Sequence, residues 1–68
     1  MDKLIINNRE YIPTDDFTYD FDGVKGRYFY QPGSFSTWIA LLENGSLLSL
    51  YNGIHHPFKA EYKLIKEA

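Results

Sequence analysis

Residues 36–51 read STWIALLENGSLLSLY, two apolar runs on either side of Asn44-Gly45. Asn-Gly between apolar runs is a strong signal for a β-hairpin, because a two-residue type I′ turn needs positive φ at both central positions. A turn of this length fixes the register and pairs Trp38 with Tyr51 at the far end of the hairpin. We therefore predict that residues 36–51 form an antiparallel hairpin.

Both faces of this hairpin are apolar, although side chains alternate between the faces of a strand. In the predicted register, one face is wholly aliphatic and should be core: Ile39, Leu41, Leu48 and Leu50. The opposite face is largely apolar as well, and it carries Trp38, Ala40, Leu42, Leu47, Ser49 and Tyr51. A hairpin in a two-layer domain needs only one apolar face. The second face therefore predicts a cover from elsewhere in the chain, as in a small barrel, or contact with a partner.

Shorter patterns predict further strands on either side of this hairpin. Residues 3–13 favour a second hairpin that turns at Asn7-Asn8, since asparagine tolerates the left-handed conformation. Residues 24–30 predict an aromatic strand in which two tyrosines share a face and Phe29 points the other way. Residues 58–64 alternate apolar and charged side chains, which favours a strand, although their composition also suits a helix.

Taken together, these patterns predict a mostly β fold. The expected architecture is a small antiparallel sheet or partly open barrel of five to six strands, and an α+β fold with a C-terminal helix is the alternative. The 68 residues form one small globular domain, 1–68. Such a domain buries only about 60% of its unfolded surface. Six tyrosines, five phenylalanines and one tryptophan can supply its packing.

Composition excludes several classes of chemistry. The chain has no cysteine, which excludes disulfides, thiolate zinc sites and a cysteine nucleophile. His55 and His56 are adjacent, and adjacent side chains of an extended segment point apart, so the two do not easily bind one metal ion. We interpret them as part of a loop before a strand that Pro57 bounds. The segment Asp20–Gly23 is similar to the middle of a calcium loop, but the positions of the first and last ligands hold Thr18 and Phe29. We therefore expect no metal, no cofactor and, since catalytic motifs are absent, no enzymatic activity.

The charge of the chain is uneven. Residues 1–22 hold six acids and two bases, whereas residues 23–68 hold three acids and five bases. Acids and aromatics alternate in residues 14–23, which indicates a solvated acidic loop, an edge strand whose aromatics face the core and whose charges face water, or a protein-binding surface that imitates a phosphate backbone. The residues expected to contact a protein partner are Asp15, Asp16, Tyr19, Asp20, Asp22, Trp38 and Tyr51.

A second interpretation is binding of single-stranded nucleic acid. Lys25, Arg27, Tyr28 and Tyr30 combine cations with aromatic rings, as stacking platforms for single strands do. The formal net charge of −2 argues against this alternative, because such proteins usually carry a basic surface.

The sequence therefore predicts a non-enzymatic protein-interaction domain, such as a small inhibitor or accessory subunit. A homodimer that pairs the spare apolar face with itself is another possible use of that face. No apolar run approaches the roughly 20 residues that span a bilayer, and the N-terminus lacks a secretory pattern. We expect a cytoplasmic protein that does not bind membranes.

Overall fold

The structure, a computed structural model, describes residues 2–14, 18–33 and 38–67. Its eight strands are β1 (Lys3–Ile6), β2 (Arg9–Pro13), β3 (Tyr19–Phe21), β4 (Val24–Tyr30), β5 (Trp38–Leu42), β6 (Leu47–Tyr51), β7 (Ile54–Phe58) and β8 (Tyr62–Ile65). No helix occurs in these ranges. The predicted mostly β fold is confirmed. The helical alternative for the C-terminal segment is wrong, because β8 pairs with β1.

The strands form one antiparallel sheet that curls into a half-barrel. The order of strands is β7-β6-β5-β4-β2-β1-β8, and β3 pairs with the first part of β4. There are more strands than the five or six predicted, because residues 54–58, expected to form a loop around the two histidines, form β7, and residues 19–21 of the acidic segment form β3. Pro57 is tolerated there because β7 is an edge strand and needs no ladder hydrogen bond on its outer side.

The hydrophobic core lies on the inner, concave face of the sheet. Its buried members come from both halves of the sheet and are Leu4, Ile6, Tyr11, Phe29, Ile39 and Leu47. Leu41, Phe58 and Ala60 pack against them and are partly buried. The Tyr62 hydroxyl donates a hydrogen bond of 3.1 Å to the Gly45 carbonyl, which ties the β8 edge to the loop between β5 and β6.

Three hairpins close through two-residue turns with positive φ at both positions. These turns are Asn7-Asn8 (φ 51° and 63°), Asp22-Gly23 (54° and 85°) and Asn52-Gly53 (51° and 74°). Positive φ at both positions is the requirement of a type I′ turn, which matches the right-handed twist of the flanking strands. The prediction of a turn at Asn7-Asn8 is confirmed.

The loop at Asn44-Gly45 differs from its prediction. Only Gly45 has positive φ, at 91°, and the Asn44 side-chain oxygen accepts a hydrogen bond of 2.9 Å from the Ser46 N–H. The Leu42 N–H donates to the Ser46 carbonyl, so three residues form the loop. A three-residue loop with one left-handed glycine is the next commonest hairpin connection. The predicted two-residue turn is therefore wrong.

The extra loop residue shifts the register of β6 by one position. Trp38 pairs with Leu50 rather than with Tyr51, and Leu41 pairs with Leu47. Directly paired residues share a face, so the predicted core face is wrong on β6: Leu47 lies in the core, whereas Leu48 and Leu50 lie on the outer face. Residues 36 and 37, where the predicted hairpin begins, lie outside the described residues.

Candidate functional site

An aromatic cluster occupies the outer, convex face of the sheet. Four strands contribute to it: its five rings are Tyr19 and Phe21 from β3, Tyr28 from β4, Trp38 from β5 and His55 from β7. Alternation along each strand and antiparallel pairing bring these rings onto the same side. The cluster therefore follows from the register of the sheet and not from closeness in sequence.

Tyr28 is the centre of this aromatic cluster. Its ring centroid lies 5.2 Å from that of Tyr19, 5.3 Å from that of Phe21 and 5.5 Å from that of Trp38. These three ring pairs are tilted by 58° to 77°, which is a favourable edge-to-face type of contact. Tilted rings leave clefts between them, so the surface is ridged and not flat.

The position of Tyr28 is further fixed by a side chain on the edge strand. The Tyr28 hydroxyl lies 2.7 Å from His55 Nε2, and it donates or accepts that hydrogen bond according to which imidazole nitrogen carries hydrogen. Burial raises the pKa of the Tyr28 phenol above its ordinary value of about 10. At neutral pH Tyr28 is therefore an uncharged ring held between β4 and β7.

Small and flat-lying residues form the floor beneath the cluster. Ala40 and Leu42 are 1% and 7% exposed although they lie on the outer face. A Cβ on Gly26 would lie 2.5 Å from Cδ2 of Leu42 and 2.8 Å from the Leu41 carbonyl oxygen. Because residue 26 of β4 is glycine, the Leu42 side chain can lie flat against the sheet, below the aromatic rings.

An open groove of about 430 Å³ runs beside the cluster. Its lining consists of Asp20, Phe21, Asp22, Leu42, Leu48, His55 and Pro57. The Asp20 carboxylate accepts a hydrogen bond of 2.7 Å from the Gly23 N–H, which fixes the β3–β4 turn. The groove lining therefore combines apolar side chains with the two acidic residues of the β3–β4 hairpin, of which Asp20 pairs with Lys25 across the ladder.

Six of the seven residues predicted to contact a protein fall into three groups. Tyr19 and Trp38 belong to the aromatic cluster and are 38% and 36% exposed. Asp20 and Asp22 line the adjoining groove. Asp15 and Asp16 lie outside the described residues.

Tyr51 does not lie with the other predicted contact residues. It is 66% exposed and its ring is 6.4 Å from that of His56, on the opposite face from Trp38. The prediction that Trp38 and Tyr51 share a face is wrong, and its cause is the extra residue in the β5–β6 loop.

The residues predicted for nucleic-acid binding are divided between the two faces. Tyr28 and Tyr30 lie on the outer face, as predicted relative to Phe29, whereas Lys25 and Arg27 alternate to the inner side. Arg27 forms an ion pair of 3.4 Å with Asp2, and its guanidinium lies 5.8 Å from the Phe29 ring centroid. The expected platform of cations beside tyrosines is therefore not assembled.

Sequence reasoning missed the role of His55 and the central position of Tyr28. The sequence pattern predicts that His55 lies in a loop before Pro57, and it places Tyr28 in the nucleic-acid alternative. Alternation of apolar residues across 54–58 is weak, so no period marks β7 as a strand. The Asn52-Gly53 turn between Tyr51 and Ile54 was the available signal for another hairpin.

A second depression opens on the inner side, at the end of the half-barrel. Its volume is about 470 Å³, and its lining mixes both signs of charge, with Asp2 and Glu43 against Lys25, Arg27 and Lys66. Within the described ranges, no three His, Asp or Glu side chains are grouped so that they could hold a metal ion. The same residues contain no helix long and apolar enough to cross a membrane.

No protein-family model, curated protein or solved structure matches this chain.

Proposed function

We propose that this chain is a cytoplasmic, non-enzymatic protein-interaction domain that serves as a small inhibitor or accessory subunit. Its contact surface is the aromatic cluster of the outer face together with the acidic end of the adjoining groove. The observation that carries this proposal is the assembly of five rings from four strands on a face that has no second layer of the described chain above it.

The energetics of interfaces support this choice of surface. Tyrosine and tryptophan dominate the binding energy of many protein interfaces, because they bury large areas with few rotatable bonds. Trp38 is 36% exposed and rests against Tyr28, so covering it with a partner removes apolar surface without ordering a flexible side chain. The network around Tyr28 fixes the rings before a partner arrives.

The electrostatics of the groove point to a partner with a basic contact region. Asp20 and Asp22 are exposed on the β3–β4 hairpin, and the groove lining contains no lysine or arginine. Charged groups at the rim of an interface mainly set the rate of association and the choice of partner. The rings would thus supply affinity, and the carboxylates would supply selectivity.

Affinity capture from a lysate of the source cells tests this proposal with two matched variants. Trp38→Ala removes an exposed ring from the aromatic cluster, and Tyr51→Ala removes an exposed ring from the other side of the sheet. We expect a nuclease-resistant protein to be retained by wild type and by Tyr51→Ala and to be lost with Trp38→Ala. Circular dichroism of both variants checks that each remains folded.

Three results would overturn the proposal. Equal retention by both variants would remove the cluster from the contact surface. Loss of all captured protein after nuclease treatment would favour nucleic acid as the ligand. Concentration-dependent sedimentation of the pure chain that disappears in Trp38→Ala would identify the surface as a homodimer interface.

A further inference from the structure

We propose that the aromatic cluster binds a proline-rich segment in the polyproline II conformation, with a lysine or arginine beside the prolines placed against Asp20 and Asp22. This inference rests on the proposed function, because it names the kind of partner that the same surface recognises. The proposed ligand is an extended segment of another protein and not a folded surface.

The tilt of the rings is the first argument for this ligand. Tyr28 is inclined by 58° to Tyr19 and by 60° to Trp38, so the rings form ridges with clefts between them. A polyproline II helix has three residues per turn and presents ridges that enter aromatic-lined grooves.

Hydrogen-bonding capacity is the second argument. A polyproline II segment has no internal hydrogen bonds, and proline has no N–H, so its carbonyl oxygens all need donors from outside. The Trp38 indole N–H is a donor with no acceptor capacity. Trp38 is 36% exposed, so a bound segment can reach its side chain. The outer face therefore offers a donor of the kind that such a ligand needs.

Charge is the third argument. Two acidic residues, Asp20 and Asp22, line the groove next to the rings, and the same lining carries no lysine or arginine. Asp20 lies across the ladder from Lys25, whereas Asp22 is exposed in the turn, so a cation in the ligand can pair with the Asp22 carboxylate. The Asp20–Gly23 hydrogen bond holds one of these carboxylates in place. A preformed ligand helix and a fixed turn both reduce the entropy lost on binding.

The intrinsic fluorescence of the protein offers a direct test, because Trp38 is its only tryptophan. The probes are two synthetic peptides, ten prolines with two arginines at either the N-terminal or the C-terminal end. Controls replace the prolines with alternating glycine and serine, or the arginines with glutamates. We expect one arginine–proline peptide to give a saturable change in Trp38 emission at about 1 mM or below, which corresponds to roughly −4 kcal/mol.

Variants locate the binding and separate the two kinds of contact. Tyr28→Ala should abolish the change, and Tyr51→Ala should leave it intact. The double variant Asp20→Asn and Asp22→Asn should weaken binding about threefold, because exposed charge pairs contribute little. Asparagine at position 20 keeps a side-chain oxygen for the Gly23 N–H, so the turn survives.

Several outcomes would overturn the inference. These are no binding of either arginine–proline peptide, equal binding of the glycine–serine peptide, or equal loss with Tyr51→Ala. A Trp38 signal that depends on protein concentration alone would make a second copy the occupant. If lysate capture depends on Trp38 while the proline peptides fail to bind, the inference falls and the proposed function stands. If capture itself fails and neither arginine–proline peptide binds, the proposed function and the inference fall together.

Discussion

The inner and outer faces of this sheet bury apolar residues in different ways. Leu4, Phe29 and Leu47 on the inner face are at most 3% exposed, because the curl of the sheet wraps strands from both ends around them. Tyr19 and Trp38 on the outer face are 38% and 36% exposed, and their ring contact in the described part of the chain is with Tyr28 on the same face. A single curled sheet can thus bury the residues of its inner face with its own strands. On its outer face, aromatic rings cover one another in part.

Adjacent residues on β4 give the sharpest test of this difference. Phe29→Ala removes a side chain that is 2% exposed and should lower the free energy of unfolding by about 3–5 kcal/mol. Tyr28→Ala, one position earlier and facing outward, should cost clearly less, since its ring is only partly buried. Urea unfolding of both variants measures the two values.

If Phe29→Ala does not fold, the milder substitution Phe29→Leu allows the loss of unfolding free energy at position 29 to be compared with that at position 28. A loss for Tyr28→Ala equal to that for Phe29→Ala would show that the outer cluster is a second core and would break the comparison.

The low floor of the outer face depends on Gly26. Gly26→Ala places a Cβ against Leu42 and the Leu41 carbonyl, and overpacking of this kind should cost about 1–3 kcal/mol. Adding Leu42→Ala removes the side-chain clash but not the backbone clash. The double variant should therefore be more stable than additivity of the two single losses predicts. Strict additivity in thermal or urea unfolding would mean that the contact with Leu42 is not what makes glycine necessary.

The hydrogen bond between Tyr28 and His55 should have a smaller effect, with a distinct pH dependence. Tyr28→Phe should cost about 0.5–1 kcal/mol at neutral pH, the range expected for a partly exposed hydrogen bond. Burial raises the pKa of folded Tyr28, so the fold favours the neutral phenol. Its contribution to stability is fully present below about pH 10 and is lost as the pH rises through the raised pKa of the folded state.

Tyr28→Phe should therefore remove part of the alkaline loss of stability that wild type shows. Tyr51→Phe is the matched control and should leave the wild-type profile unchanged, since Tyr28 is intact. Identical alkaline profiles for wild type and Tyr28→Phe would contradict the burial of the phenol.

Much of the fold could be predicted from local patterns. Turn residues and the alternation of apolar residues predicted the mostly β class, the turn at Asn7-Asn8 and the opposite orientations of Tyr28 and Phe29. Each of these depends on the φ preference of one or two residues or on the period of a single strand. Such features need no knowledge of distant contacts.

The candidate site was less predictable, because it depends on register and on pairing between strands far apart in sequence. Asn44-Gly45 is the same dipeptide as Asn52-Gly53, but the side-chain oxygen of Asn44 accepts a hydrogen bond from the Ser46 N–H, and this loop is one residue longer. That one residue exchanged Leu47 and Leu48 between faces and separated Tyr51 from Trp38. His55 lies in the cluster because β7 pairs with β6. The sequence of β7 contains Pro57 and gave little local indication of a strand.

Site-specific photocrosslinking tests the central claim, that the outer face is the contact surface, most directly. A photoreactive phenylalanine analogue, benzoylphenylalanine, replaces either Trp38 or Tyr51 in the source cells, so that each exposed position keeps an aromatic ring. After irradiation we expect a defined crosslinked protein from position 38 and none from position 51. Crosslinks from position 51 alone, equal crosslinks from both positions, or no crosslink from either would contradict the claim.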